Sequence, residues 1–281
     1  MACAYALTVA PSSPATGRRR FCLVGIDGLL LNIALEPGLA PNLARLHAQG
    51  TARTLQMSVP TLSGPGWSTL LTGASMQQHG VTDNYFAGSR LPWIPDLLSQ
   101  AAAADPSTIT FAAAGWTALV DPAGAGPVIH TRPDQRRAGL HHVVVRDGEL
   151  YGYANVDPEI ATVADYALRE RPHPDAMFVY FCSVDEAGHL YGVGEEYRRA
   201  IRRVDGYLGR IRSRLAALAA DGEQWLLAVV TDHGHRLEGG HGGDSAAERS
   251  SFLIGAGIGR PNPVWARELQ PTDVCGAVLS G

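Results

Sequence analysis

Lysine is missing from this 281-residue chain; all 23 of its basic residues are arginine. Together with the abundance of alanine and glycine, that absence reads as the coding bias of a GC-rich genome rather than as function. The net charge is −4, so the basic footprint of a nucleic-acid binder is missing as well. Cysteine is sparse. Cys3, Cys22, Cys182 and Cys275 form no Cys-x-x-Cys pair, which argues against both a cysteine zinc site and a disulfide framework. Cys22 and Cys182 lie inside apolar runs and read as small buried hydrophobes; a reducing, cytoplasmic location fits this usage. No apolar run approaches the ~20 residues of a membrane span, so no membrane partner is expected. Met1–Pro14 lacks a basic region ahead of its apolar stretch and makes a poor signal peptide. Arg18-Arg19-Arg20-Phe21 has the look of a twin-arginine signal, but the apolar run behind it is short and ends at Asp27, so it reads as a first strand.

What the chain does contain is ordinary globular composition, 46% hydrophobic and 18% charged. One domain over residues 20–281 is expected, after a flexible tail over 1–19. Apolar runs of strand length occur at Phe21–Ile26, Ile109–Ala114, Ala176–Cys182, Trp225–Thr231 and Phe252–Gly255. Helices are expected at Pro41–Gln49, Pro65–Leu71, Leu91–Ala104, Pro158–Arg169 and Glu195–Ala220. The last has an apolar stripe through Tyr197, Ile201, Val204, Leu208, Ile211, Leu215 and Leu218, with arginines on its other faces that read as solvated. Gly115–Tyr153 looks irregular, with a hairpin at Asp147-Gly148, and about 115–155 is a possible cap or rim. Alternating strands and helices predict an α/β fold, a three-layer sandwich around a mainly parallel sheet.

The runs most like buried parallel strands end in acids: Asp27, Asp185 and Asp232. Open α/β sheets bind ligands at those carboxyl ends. His233 follows Asp232 directly, His241 lies eight residues on, and His189 is four residues after Asp185, on one face if that turn is helical. Carboxylate and imidazole without thiolate suit two divalent ions, zinc first and manganese as the alternative. Three carboxylates in one cleft repel unless cations neutralise them, and two-metal sites serve phosphoryl transfer.

The chain resembles the alkaline phosphatase superfamily, most closely its nucleotide pyrophosphatase/phosphodiesterase branch. The resemblance runs from Phe21 to about Ile258 through motifs in order: Ile26-Asp27-Gly28, Pro41-Asn42-Leu43 with Leu46, Pro60-Thr61-Leu62-Ser63-Gly64-Pro65, Leu71-Thr72-Gly73, His79-Gly80-Val81-Thr82-Asp83-Asn84, Asp185 to His189 with Gly192, Thr231-Asp232-His233-Gly234 and Gly240-His241-Gly242. It implies one metal on Asp185, His189 and His241, and another on Asp27, Asp232, His233 and the nucleophile Ser63. Ser63 stands where this branch usually has threonine. Near a helix start it is suited either to phosphate chemistry or to simple capping. The resemblance also gives Asn84 a phosphoryl oxygen to hold and places Tyr180 at the substrate pocket, although a turn residue and a core residue are the plain alternatives. Gly64 departs from the pattern, since relatives carry a base-stacking aromatic there. His235 and Glu238 read as outer-sphere or solvent-exposed.

The implied activity is hydrolysis of a small-molecule phosphoester through a phosphoseryl intermediate. The alternatives are a phosphomonoesterase and, in another class, a non-catalytic metal-binding relative. Ser63-Gly64-Pro65-Gly66 is followed by Trp67 rather than arginine, which counts against a sulfatase. The rim is expected from residues 85–93 and 116–153, with Tyr85, Phe86, Trp93, Trp116, Tyr151, Tyr153, Arg132, Arg136, Arg137 and Arg146 available to grip a substrate.

Overall fold

A computed structural model describes residues 19–281; the expected tail falls almost wholly outside the described residues. Seven strands form one sheet: β1 (Arg20–Ile26), β2 (Thr51–Gln56), β3 (Thr110–Ala114), β4 (His141–Val145), β5 (Ala176–Phe181), β6 (Trp225–Val230) and β7 (Ser250–Ile258). Their order across the sheet is β2-β7-β6-β1-β5-β3-β4. The five strands from β6 to β4 run parallel; β7 pairs antiparallel with β6 and β2 antiparallel with β7, so β7 alone is reversed. The mainly parallel α/β sandwich read from the sequence is therefore the architecture.

Strand periodicity makes the layers, because successive side chains point to opposite faces. On β1, Cys22, Val24 and Ile26 join the core under the long helix Glu195–Ala220. Phe21 and Leu23 join the opposite core, against Trp67, Leu70 and Leu71 of the helix Ser63–Thr72. The apolar stripe of the long helix, Tyr197 through Leu218, is buried along its whole length.

Several expectations change. The segment read as irregular or as a cap supplies β4, the edge strand of the central sheet. Asp147 does not turn a hairpin: its side chain accepts from Leu150 N–H at 2.9 Å and starts a short helix, Gly148–Tyr151. The helix expected over Leu91–Ala104 is a short 3₁₀ turn and then Leu97–Ala104, restarted by Asp96, which accepts from the Leu98 and Ser99 amides. Strand β2 has an interrupted pattern, Thr-Ala-Arg-Thr-Leu-Gln, and only Leu55 is buried. Among the described residues no helix is long and apolar enough to cross a membrane.

Two motifs are joints of the fold. At Pro41-Asn42-Leu43, Asp205 of the long helix accepts from the Asn42 and Leu43 amides at 3.1 and 2.8 Å, supplying the helix start Pro41–Gln49 with a cap it lacks locally. At His79, Nδ1 accepts from Val81 N–H at 3.0 Å and Nε2 meets Thr69 Oγ1 at 3.0 Å. This fully buried imidazole ties the helix of Ser63 to the segment leading to Asn84.

Protonating His79 would cost its acceptor at Nδ1, and burial, with Arg90 nearby, pushes its pKa down to about 4. His141 is also pushed down to about 4, by burial and then by Arg132. A histidine whose folded pKa lies below the unfolded value contributes stability that is complete above the unfolded pKa and lost as pH falls toward the folded one. Stability should therefore fall between about pH 6.5 and 4, by on the order of 2 kcal/mol for each ring. Thermal melts of the parent and of His79→Asn, which has no proton to take up, across that range check this. The variant should show the shallower slope, and equal slopes would remove His79 from the effect.

Candidate active site

The site forms where three adjacent parallel strands end. Asp232 follows β6, Asp27 follows β1, and Asp185 sits in the first turn of the helix Ser183–Tyr191 after β5. These are the neighbours β6-β1-β5, so the three carboxylates converge because of strand order, not chain proximity. The chain can turn away after Asp27 because Gly28 has φ +63°. A Cβ there would stand 2.7 Å from Asp185 Oδ1 and 2.8 Å from His235 Nε2.

Around Asp27 the polar atoms are sorted. Tyr180 Oη and Trp67 Nε1 both donate to Oδ2, at 2.5 and 2.8 Å. The other oxygen, Asp27 Oδ1, is buried without a hydrogen-bond partner, and so is Asp232 Oδ2. His233 donates its Nδ1 proton to the Gly234 carbonyl at 3.1 Å, leaving Nε2 as the free nitrogen. From that Nε2, Asp27 Oδ1 lies 3.3 Å away, Asp232 Oδ2 3.4 Å and Ser63 Oγ 3.2 Å. Ligand bonds of about 2.0–2.1 Å arranged tetrahedrally put neighbouring ligand atoms about 3.3 Å apart. Two orphaned carboxylate oxygens, one free imidazole nitrogen and a hydroxyl at that spacing fit a divalent cation.

The second group is Asp185, His189 and His241. His241 gives its Nδ1 proton to the Thr61 carbonyl at 2.7 Å and so presents Nε2. His189 Nε2 lies 2.9 Å from His241 Nε2 and 3.5 Å from Asp185 Oδ2. Thr61 also links its own loop to the Gly240-His241-Gly242 loop, donating to the Gly243 carbonyl at 2.8 Å and accepting from Gly242 N–H at 3.0 Å.

Electrostatics point the same way. Burial, reinforced by the charge of Asp185, pushes Asp27 up to about 8, against the hydrogen bonds from Tyr180 and Trp67. Burial and then the charges of Asp27 and Asp185 push Asp232 well above the carboxylate range. Asp185 moves the other way. Burial opposes its ionisation, but the His235 hydrogen bond and the surrounding histidines hold its pKa below the ordinary value. His233 is pushed well down by burial and then by His241, so it stays a neutral imidazole. Three buried acids in one site need protons or cations.

All seven residues expected to hold metal are brought together. Asn84 is tied in through Gly64, whose N–H donates to Asn84 Oδ1 at 2.8 Å. Tyr180 stands elsewhere than expected. It is 1% exposed and buried beneath Asp27, because β5 alternation turns it into the core beside Trp67 and Phe178. Of the expected rim, Tyr85, Trp93 and Tyr151 are exposed, whereas Phe86, Trp116 and Tyr153 are buried. Arg132 donates to Thr110 Oγ1 and His141 Nδ1, at the starts of β3 and β4 and so at the far end of the sheet from Asp27. Arg136 and Arg137 precede β4 at that same end, and Arg146 pairs with Glu159.

Sequence reading missed Trp67, and it read His235 as outer-sphere or solvent-exposed; the structure leaves the first of these. His235 is fully buried, with Nε2 2.7 Å from Asp185 Oδ1; ligand atoms of Asp185, His233, His235 and His241 all lie within 4.8 Å of one another. Its signal was the Asp-His-Gly-His spacing itself. Trp67 lies four residues after Ser63 on one helix, hence on the same face. Glu238 is exposed, as read.

Residues 21–238 match the model of the family described as type I phosphodiesterase / nucleotide pyrophosphatase. Human ectonucleotide pyrophosphatase/phosphodiesterase family member 7 is 27% identical over 239 residues, covering 80% of this chain and 50% of that protein. The chain thus spans about half the length of the curated relatives it matches. Its fold is shared with murine ectonucleotide pyrophosphatase/phosphodiesterase 5, solved as an inactive variant in complex with AMP (TM-score 0.62, 13% identity, 92% of this chain and 93% of that one). It is shared also with Sinorhizobium meliloti phosphonoacetate hydrolase bound to phosphonoformate (TM-score 0.57, 19% identity, 77% and 56%). With the match covering most of its length, the chain belongs to the type I phosphodiesterase / nucleotide pyrophosphatase family.

Proposed function

We propose that this protein is a metal-dependent phosphodiesterase acting through a phosphoseryl intermediate on Ser63. The observation that carries the reading is the pair of buried, unpartnered oxygens, Asp27 Oδ1 and Asp232 Oδ2, set with Ser63 Oγ around His233 Nε2. One cation would be held by Asp27, Asp232, His233 and Ser63, the other by Asp185, His189 and His241, with zinc first and manganese second from the nitrogen and oxygen donors. When bound, such cations supply positive charge that lowers the pKa of a hydroxyl or water and neutralises phosphoryl oxygens.

The chain's own groups do the rest. Ser63 Oγ attacks phosphorus, its bond to phosphorus forms as the leaving alkoxide departs in line, and the hydroxyl proton passes to solvent. Water then attacks the phosphoseryl group, breaking the bond to Oγ and regenerating the serine. Tyr180 and Trp67 hold Asp27 by one oxygen and keep the other turned into the site. His235 fixes Asp185 in the same manner.

Protein prepared without chelator should carry about two equivalents of divalent metal, and exhaustive chelation should abolish diester hydrolysis. His235→Ala should weaken metal binding by about 10–100-fold, as loss of an outer hydrogen bond to a ligand does. Elemental analysis with an activity assay on bis-p-nitrophenyl phosphate checks both, and full activity after complete metal removal would sink the proposal.

A further inference from the structure

The helix Ser183–Tyr191 carries Asp185 and His189, yet its own N-cap, Cys182, makes no side-chain cap bond. The first amides of a helix have no partner within it. Here they are met from the neighbouring helix, Tyr153–Ala167. Asp157, 1% exposed, accepts from Cys182 N–H at 3.2 Å and from Ser183 N–H at 2.9 Å. The contact is returned: Glu186, next to Asp185, accepts from the Tyr153 and Ala154 amides at 2.9 and 3.1 Å, at the start of Asp157's own helix. Each helix caps the other, and the doubly latched turn is the one that carries Asp185, one turn before His189. Holding Asp157 there has a cost, since burial pushes its carboxyl up to about 6.

We propose that Asp157 is a positioning residue for the cation group Asp185, His189 and His241, tuning the affinity of that group and not of the one around Asp27. The inference rests on the two-cation reading above. Its rival is that Asp157 merely holds two helices together. Asp205 is the matched comparison: a buried acid that caps a helix in the same way, at Asn42 and Leu43, where no site residue lies.

The experiment is calorimetric titration of metal-free full-length protein with zinc, together with thermal melts. The parent should bind two equivalents. Asp157→Ala should weaken one of them by about 10–100-fold and leave the other as in the parent. Glu186→Gln should weaken the same equivalent by less, and Asp205→Ala should lower the melting temperature without changing either affinity. The inference is overturned if Asp157→Ala binds both equivalents as the parent does, weakens both alike, or is matched by Asp205→Ala. Should Asp157→Ala not fold, Asp157→Asn, which keeps one acceptor, is judged by the same criterion of selective weakening. A parent that binds fewer than two equivalents fails the two-cation reading itself, whereas a two-equivalent parent with unaltered variants fails this inference alone.

Discussion

Ser63→Ala should lower kcat for phosphodiester hydrolysis by about 10⁴-fold or more, in the range expected when a covalent nucleophile is removed. Ser63 opens a helix whose every residue is buried, and its Oγ is 3.2 Å from His233 Nε2. Removing one oxygen leaves Asp27, Asp232 and His233 in place, so the fold and most of the metal affinity should survive. That separates loss of chemistry from loss of structure. Ser63→Thr should keep measurable activity, since it keeps the hydroxyl. Acid-quenched parent should also carry a phosphoryl group on the peptide containing Ser63, and the alanine variant should not. Turnover by Ser63→Ala near the parent rate would take Ser63 out of the mechanism.

How much of this could be read in advance depended on where the determining interactions lie along the chain. The long helix shows its bounds and its buried face in a local period. The buried strands β1, β5 and β6 are continuous apolar runs, and an acid just past each one suffices to place Asp27, Asp185 and Asp232. Strand β2 was invisible because it earns its place by pairing with β7 rather than by apolar alternation. The places of Tyr180 and His235 were left between alternatives for a related reason. Whether a tyrosine on a strand lines an opening or props a carboxylate 153 residues away is a tertiary fact with no local period. The same holds for the arginines between 132 and 146. Sequence offered them to the substrate, but the parallel direction of β4 carries Arg132 to the opposite end of the sheet.

That placement bears on what the site should prefer. A phosphomonoester brings more negative charge than a diester and is better served by a cationic side chain. Among the described residues the side-chain hydrogen bonds at Ser63 and Asn84 go to His233 and to the Gly64 amide. Arg90 is engaged with the Gln77 and Gln78 carbonyls, and Arg236 lies beside Glu238 and Glu248. Hence kcat/KM for bis-p-nitrophenyl phosphate should exceed that for p-nitrophenyl phosphate. Asn84 should be the group that makes the difference. Its Oδ1 takes the Gly64 N–H, so its Nδ2 hydrogens are the donors left for a phosphoryl oxygen. Asn84→Ala should lower kcat by roughly 10²–10³-fold, as removing one donor to developing oxyanion charge does. Asn84→Asp separates the two jobs of this side chain. It keeps an acceptor for Gly64 N–H but replaces the donor with negative charge, so it should fall at least as far as the alanine variant while the fold is kept. If Asn84 serves only to close the turn over Gly64, the aspartate variant will instead retain near-parent activity. A better rate on the monoester, with both Asn84 variants unchanged, would replace the phosphodiesterase reading with a phosphatase.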